Sequence, residues 1–252
     1  MQSTGGLTRE QRGRYHDDGF VRLPGFAPRE VCQRMLDRVI EIARAHAAAE
    51  PGAPGLVLPE ANLAGSTGDP EDRVSKIFRL HRDGVFADVA GSRGLTDLLA
   101  DLIGARIDCF LSQFIFKNPG AWGQPWHQDS FYFRLEPPRP IVGAWLAVTE
   151  ATLHNGCLHV LPGSHHEAVH RHEPDRRPGA NFGYVEIVDH DMSGSEPVLM
   201  SPGDLLLFDS HLMHRSTDNE SAGIRAAMVY HFAATGTVDP GSNGVNDFVT
   251  VR

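Results

Sequence analysis

The chain contains 252 residues, of which 41% are hydrophobic and 22% are charged, a composition typical of folded globular proteins and not of disordered ones. Its 23 Lys and Arg against 32 Asp and Glu give a formal net charge of -9. This charge repels phosphate backbones and anionic membranes, so neither nucleic acid nor a membrane is expected as a partner.

The cysteines and the amino terminus bear on the cellular compartment. Cys32, Cys109 and Cys157 are scattered along the chain, which indicates neither a disulfide framework nor a zinc knuckle. Residues 1–6 lack the basic flank and apolar run of a signal peptide, and no stretch has the apolar length of a membrane span. We therefore expect a cytoplasmic protein. The sequence leaves its oligomeric state open.

The amino-terminal part, residues 1–105, has helical patterns. Apolar residues recur near helical spacing from Pro28 to Ala49 and again from Gly94 to Ile103, which predicts two amphipathic helices packed on a core. Between them, Pro51 to Asp72 is rich in Gly, Pro and Ala without periodicity. This segment is predicted to be a long loop of the kind that often serves as a lid.

From residue 106 to residue 234 the pattern changes to short β-prone runs separated by turn-forming pairs, with 235–252 left as a tail. This pattern predicts a mainly β jelly roll, built from two sheets with a cavity between them, within a single domain over residues 1–252. His165 to Pro178 is polar and charged, which is typical of a surface loop. The predicted strands are Ile107–Lys117, Trp126–Phe133, Ile141–Thr149, Leu158–Leu161, Val198–Ser201, Asp204–Phe208 and Ile224–Phe232.

His127 and Asp129 are candidate metal ligands. They lie two residues apart on a predicted strand, so both side chains would project from the same face while Gln128 points away. His214 follows a later strand and offers a third ligand. Two imidazoles and one carboxylate leave coordination positions open, which suits an iron(II) ion that must bind a bidentate keto acid and O₂.

Other histidines have simpler interpretations. An isolated His-x-Asp usually marks a surface or hydrogen-bonded histidine, and only its context favours a metal ligand here. His211 is interpreted as a surface residue or as support for the site, and its role, like that of Gln128, stays open. A further histidine cluster lies in the charged loop without strand geometry and is interpreted as solvated; it consists of His165, His166, His170 and His172.

A cationic anchor is expected near the metal. Arg225 begins the final long strand, and a guanidinium matches a carboxylate bidentately. Ser216 could donate a hydroxyl hydrogen bond to the same carboxylate, that of the keto acid. For an isolated arginine, a surface ion pair is the simpler interpretation. By strand alternation Phe131 and Phe133 would wall the substrate side, and Trp145 would point inward, although aromatic residues at such places often belong to plain core.

The chain resembles the phytanoyl-CoA dioxygenase family of iron(II)- and 2-oxoglutarate-dependent oxygenases from about Gly19 to Phe232. Each motif alone is weak, and the ordered set is specific. The motifs are Trp126-His127-Gln128-Asp129, Asn155-Gly156-Cys157-Leu158, Leu161-Pro162-Gly163-Ser164-His165, Pro202-Gly203-Asp204, His214-Arg215-Ser216 and Arg225.

The resemblance implies a double-stranded β-helix with flanking helices and the cofactors iron(II), 2-oxoglutarate and O₂. By it, His127, Asp129 and His214 match the iron ligands. Arg225 and Ser216 match residues for the distal 2-oxoglutarate carboxylate, and Trp145 and, more loosely, Lys76 match residues near that cosubstrate. Related halogenases replace the carboxylate ligand with a small residue, so the presence of Asp129 favours hydroxylation over halogenation.

The function expected from the sequence is hydroxylation, or another oxidation, of an aliphatic C–H of a small molecule, with release of succinate and CO₂. Family members act on acyl-CoA thioesters, amino-acid-like solutes and natural-product intermediates, so substrate, regiochemistry and the choice among hydroxylation, desaturation and rearrangement stay open. Two alternatives remain: a metal-dependent hydrolase or isomerase on a cupin barrel, and a cupin-like ligand-binding module without catalysis.

Overall fold

The helices lie in the amino-terminal part of the chain. The computed structural model describes residues 5–241 and 247–252. Over these ranges the α-helices are α1 (Arg9–Asp18), α2 (Arg29–Ala47), α3 (Gly84–Ala90) and α4 (Arg93–Ile103). The two helices predicted from apolar spacing are confirmed as α2 and α4, with ends shifted by one or two residues. None of the helices in these ranges is long and apolar enough to cross a membrane.

The other two helices carry no comparable signal. Helix α1 has no buried residue, so it shows no apolar stripe. It is instead marked by a capping box in which Thr8 and Gln11 bond reciprocally to each other's backbone N–H groups. Helix α3 is only seven residues long, which is too short for a periodic pattern to stand out.

The strands are numbered in chain order. They are β1 (Phe20–Leu23), β2 (Leu56–Pro59), β3 (Val74–Phe78), β4 (Ile107–Lys117), β5 (Ile141–Ala147), β6 (Leu158–Val160), β7 (His172–Pro174), β8 (Val185–Ile187), β9 (Glu196–Val198), β10 (Leu205–Asp209), β11 (His214–Ser216), β12 (Arg225–Ala234) and β13 (Val249–Thr250).

The strands form one large and two small antiparallel sheets. The large sheet has the order β1-β10-β5-β12-β4-β3-β2, with β13 paired to β4. A smaller sheet has the order β11-β6-β9, and β7 pairs with β8. The mainly β jelly-roll prediction is confirmed. Because β1, β2 and β3 join the large sheet, the predicted boundary between residues 105 and 106 does not divide it. The single-domain assignment stays a prediction.

Strand β12 shows how the large sheet separates the core from the site. It lies between β4 and β5, and almost all of it is buried. On one face Ala226, Met228 and Tyr230 pack into the core that includes the helices. On the other face Arg225 and His231 line a cavity. Since side chains alternate along a strand, Arg225 and His231 reach the side opposite Tyr230, whose hydroxyl donates to the Phe86 carbonyl within the core.

The predicted strand Trp126–Phe133 is wrong. His127 makes only an isolated bridge to His214, and the chain then turns into a short 3₁₀ helix, Asp129–Phe131. The aromatic residues after Asp129 favour a strand by propensity. However, the Ser130 N–H donates to the Ser210 carbonyl and the Tyr132 N–H closes the turn on Asp129, so tertiary hydrogen bonds decide the local conformation.

Two predicted loops also contain regular structure. The segment from Pro51 to Asp72 holds β2 and two short 3₁₀ helices, and the segment from His165 to Pro178 holds β7. The predicted strand Val198–Ser201 overlaps β9 only at Val198. The residues that pair with β6 are 196–198, which lie mostly before the predicted strand. The remaining predicted strands agree with the structure to within two residues at each end.

Candidate active site

Three buried ligand side chains from distant parts of the chain meet at one end of the cavity. Oδ1 of Asp129 lies 3.5 Å from Nε2 of His127 and 3.8 Å from Nε2 of His214. The exposed fractions of these residues are 5% for His127, 7% for Asp129 and 6% for His214. Their ligand atoms all lie within 4.8 Å of one another. The three residues predicted as metal ligands are therefore together.

The backbone fixes both histidine rings. His127 and His214 exchange N–H to carbonyl hydrogen bonds of 2.9 and 3.0 Å across their bridge. Nδ1 of His127 donates to the Pro125 carbonyl at 2.8 Å, and Nδ1 of His214 donates to the Leu212 carbonyl at 2.9 Å. Since a carbonyl can only accept, each Nδ1 carries the proton and each Nε2 presents a lone pair to a metal.

A third histidine, His231, orients the carboxylate of Asp129. Nε2 of His231 lies 2.7 Å from Oδ2 of Asp129, and His231 is only 1% exposed. With Oδ2 accepting this hydrogen bond, Oδ1 faces the two histidines and can bind a metal through one oxygen. Sequence reasoning missed His231, although strand alternation from Arg225 through residues 227 and 229 would have placed it on the cavity face.

The protonation states suit metal binding at neutral pH. Burial, reinforced by the charge of His127, lowers the pKa of His214 to about 4, so its ring is neutral at pH 7. Burial opposes ionisation of Asp129, but charge and hydrogen bonds from His214, His231 and His127 hold its pKa well below the usual value. Two imidazoles and one carboxylate are the donor set of non-haem iron(II) oxygenase sites, which leave metal positions open.

The triad opens into a cavity of about 360 Å³ between the sheets. Phe133 lines this cavity, as predicted, and packs against the ring of His231 at 4.9 Å. Phe131 does not, so its prediction as a wall residue is wrong. Because the chain turns at Asp129, Phe131 is 37% exposed and stacks on His172 at 4.3 Å.

Arg225 and Trp145 present unsatisfied polar atoms at the cavity. Arg225 is 1% exposed, and its Nε and Nη1 atoms have no hydrogen-bond partner among the described residues. The same holds for Nε1 of Trp145, whose ring centroid is 5.6 Å from the guanidinium. Buried donors are usually paired. Three unpaired donors that face one cavity fit a ligand with acceptor oxygens, such as a carboxylate.

Ser216 and Lys117 complete this end of the cavity. Nζ of Lys117 donates to Oγ of Ser216 at 2.7 Å, and the Gln124 N–H donates to the same oxygen at 3.1 Å. Because Ser216 accepts from both, its own hydroxyl proton is free for a further acceptor. Lys117 is opposite Arg225 in the pairing of β4 with β12. Burial, followed by the charge of Arg225, lowers the pKa of Lys117 well below the usual value.

Sequence reasoning missed Lys117, and a signal was present. Lys117 directly follows the apolar run Phe114–Phe116 at the end of a predicted strand, which is unusual because lysine is rarely buried without a partner. Lys76, which was predicted, also lines the cavity. Its Nζ donates to Oε1 of Gln124 at 3.0 Å and lies 4.8 Å from the ring centroid of Tyr184, so Lys76 reaches the cavity through a strand that the sequence did not predict.

Gln128 turns away from the triad and holds a neighbouring segment. It is fully buried; its Nε2 donates to the carbonyls of His211 and Ala168, and its Oε1 accepts from the His170 N–H. Its own N–H donates to Nε2 of His172 at 3.1 Å. Gln128 thus joins the segment at residues 168–170 to the backbone that carries His127 and Asp129.

The interpretation of the histidine loop as solvated is correct only in part. His166 is exposed, but His170 and His172 are partly buried, and His172 accepts a hydrogen bond from the backbone beside the triad. His165 bonds through Nε2 to the His16 carbonyl. These contacts join the loop to helix α1 and to Gln128, which are far away in sequence.

Comparison with known proteins places these features in a family. The family model described as phytanoyl-CoA dioxygenase (PhyH) matches residues 15–227. A probable phytanoyl-CoA dioxygenase from Caenorhabditis elegans is 31% identical over 237 residues, which cover 90% of this chain and 75% of the relative.

Solved structures share the fold. The non-haem monooxygenase ThoJ in its apo form superposes with a TM-score of 0.70 at 21% identity, covering 95% of this chain and 82% of that one. EvdO2 from Micromonospora carbonacea var. aurantiaca, in complex with 2-oxoglutarate, superposes with a TM-score of 0.65 at 23% identity, covering 95% of each chain.

Proposed function

The chain belongs to the phytanoyl-CoA dioxygenase family, and we propose from this premise that it hydroxylates an aliphatic C–H bond of a small, largely apolar molecule. It is an iron(II)- and 2-oxoglutarate-dependent dioxygenase, as the family and the donor set of the site both indicate. The reaction outcome and the character of the substrate are the parts that we propose. The observation that carries the cosubstrate assignment is the buried guanidinium of Arg225, whose Nε and Nη1 atoms have no hydrogen-bond partner in the described part of the chain.

The side chains present fit both groups. His127, Asp129 and His214 would hold the iron through two neutral imidazoles and one carboxylate oxygen. Arg225, Ser216 and Trp145 would receive the distal carboxylate of 2-oxoglutarate. When bound, iron and 2-oxoglutarate supply the oxidising chemistry, in which O₂ is consumed and 2-oxoglutarate leaves as succinate and CO₂.

The charges of the cavity favour a dianion. Lys76, Lys117 and Arg225 line it, and Asp129 is the one carboxylate among its described lining residues. In a buried site of low dielectric, this excess of basic side chains attracts an anionic ligand strongly. The guanidinium offers a planar fork to a carboxylate, and the Ser216 hydroxyl proton adds a third donor.

The rest of the cavity is mostly apolar, which supports an apolar substrate and helps to exclude water. Polar groups in the lining, such as Gln113 and Gln124, would orient one polar substituent of the substrate. Strand β2 lies in the segment predicted as a lid and contributes two of the apolar residues. The apolar lining residues include Leu56, Leu58, Phe78, Leu111, Phe133 and Phe182.

The alternatives fit the site less well. A hydrolase or isomerase with a metal-bound water has no use for a buried guanidinium beside a lysine and a free hydroxyl. A binding module without catalysis would need the same metal-binding and carboxylate-binding side chains. It would differ from the enzyme only in having no turnover. An activity measurement therefore separates it from the enzyme.

The test is succinate formation from 2-oxoglutarate with added iron(II) and O₂, during a screen of small molecules of graded polarity. We expect slow turnover without substrate, stimulation by apolar compounds, and loss of both in His127→Ala. His166→Ala, at an exposed histidine outside the cavity, serves as the matched control and keeps full activity. Absence of succinate in the wild type across the whole screen contradicts the proposal, and stimulation only by highly charged solutes contradicts the apolar substrate.

We also propose that the protein works in the cytoplasm. The support is that Cys32, Cys109 and Cys157 are free thiols and all buried, as expected where disulfides do not form. Fluorescent tagging at either terminus, followed by imaging and fractionation, is the measurement, and recovery in a membrane-bounded compartment contradicts it.

A further inference from the structure

A second cluster of histidine and carboxylate side chains lies outside the active-site cavity. Glu167, His170 and His190 each offer one ligand atom, and these atoms lie within 4.8 Å of one another. Oε2 of Glu167 is 2.8 Å from Nε2 of His170 and 3.2 Å from Nε2 of His190. Zinc bonds to such atoms are about 2.0 to 2.2 Å long, so tetrahedral ligands stand roughly 3.3 Å apart. Small movements would suffice to admit an ion.

The surroundings of the cluster resemble those of a metal site. Oδ1 of Asp189 lies 3.4 Å from Nδ1 of His170, on the opposite side of the ring from Glu167. In the structure, Nε2 of His170 donates to Oε2 of Glu167. An ion that took the place of this proton would leave Nδ1 to donate toward Asp189, an arrangement common around zinc. The His170 and His190 side chains are only 21% and 20% exposed, so the rings are held by packing while solvent still reaches them.

The geometry points to a function for this cluster. We propose that Glu167, His170 and His190 form a second metal site, which binds zinc or a similar divalent ion and leaves its fourth position to water. Two imidazoles and one carboxylate with an open position are a known zinc donor set. The ion would join the segment at residues 167–170, which precedes β7, to His190, which follows β8; β7 and β8 pair with each other.

The location of the second site links it to the iron site. The His170 N–H donates to Oε1 of Gln128 at 2.8 Å, and Nε2 of Gln128 donates to the Ala168 carbonyl at 3.2 Å. Gln128 lies between the iron ligands His127 and Asp129 in the chain. An ion that fixes residues 167–170 therefore supports the outer side of the segment that carries two of the three iron ligands.

A hydrogen-bonded cluster without a metal is the competing explanation, and His190→Gln separates the two. A glutamine amide can still donate to Glu167, but it is a poor zinc ligand. Zinc is titrated into metal-free full-length protein by calorimetry, with cobalt(II) absorption to report the coordination. We expect two equivalents to bind wild type, one to bind His190→Gln, one to bind His127→Ala, and none to bind the double variant with high affinity.

Two further readouts sharpen this test. Asp189→Asn should weaken zinc binding at the second site by about 10- to 100-fold, since it removes only the orienting carboxylate. In His127→Ala, zinc should slow hydrogen exchange at residues 167–170, and the double variant should show no such change. Only one equivalent in the wild type, or undiminished binding in His190→Gln, overturns the proposal. Succinate formation by iron-loaded His190→Gln reports separately on the proposed oxygenase function.

Discussion

Replacing Arg225 by methionine should stabilise the metal-free, ligand-free protein while it disables cosubstrate binding. Burial lowers the pKa of Arg225 from its ordinary value to about 10. At about 1.36 kcal/mol for each pKa unit, this shift means that the buried charge costs the folded state about 3 kcal/mol. At pH 7 the guanidinium is protonated in both the folded and the unfolded state, so this cost is fully present. Methionine fills similar space without the charge.

The same change should remove the partner of the 2-oxoglutarate carboxylate. Truncating one member of a buried, hydrogen-bonded charge pair costs about 2 to 5 kcal/mol, which corresponds to a rise in the Kd of 2-oxoglutarate of roughly 30-fold to several thousandfold. Binding is measured by anaerobic titration of the iron(II) protein with 2-oxoglutarate. The free energy of unfolding is measured by urea denaturation of the ligand-free protein.

The two measurements should move in opposite directions, and this opposition tests the reasoning. Arg14→Met is the matched control, since the Arg14 side chain is 66% exposed on helix α1 and forms a surface ion pair with Glu10. Neither quantity should change. An Arg225→Met protein that unfolds more easily than the wild type and still binds 2-oxoglutarate normally would refute the assignment of Arg225 as an unpaired anchor.

Three further predictions concern the surrounding groups. Lys117→Met should raise the KM for 2-oxoglutarate by about 10-fold or more with a smaller effect on kcat, because it removes a basic group and the lysine hydrogen bond to Ser216. Steady-state succinate assays measure both constants, and an unchanged KM would contradict this prediction. His231→Phe should weaken iron binding by about 10- to 100-fold, because Asp129 loses its orienting donor; chelator competition measures this, and unaltered iron affinity would rule out the orienting role. In the metal-free protein, the pKa of His214 is about 4 in the folded state and near the ordinary 6.5 in the unfolded state. Between these two pH values the unfolded state therefore binds a proton that the folded state does not. The free energy of unfolding should therefore fall by about 2 to 3 kcal/mol from pH 7 to pH 4.5, and His214→Phe should show a shallower fall in urea denaturation; an equal fall in both proteins is the contrary result.

The sequence by itself determined which residue types meet at the site. The spacing of His127, Asp129 and His214 with Arg225 indicated a metal and carboxylate site. Alternation along the final strand is also a local property, and by it Arg225 and His231 share the cavity face, although His231 was not among the predicted site residues. Helix α2 was predictable for the same reason, since periodicity is a local property that packing on one face imposes on a continuous segment.

Only the tertiary structure decided the contacts between residues about a hundred positions apart. The Lys117 hydrogen bond to Ser216 and the His231 hydrogen bond to Asp129 span 99 and 102 positions. They depend on the order of strands in the sheets, which no local period encodes. The turn at Asp129 also replaced a predicted strand and moved Phe131 to the surface, because hydrogen bonds to a distant segment outweigh the roughly 1 kcal/mol range of strand propensity.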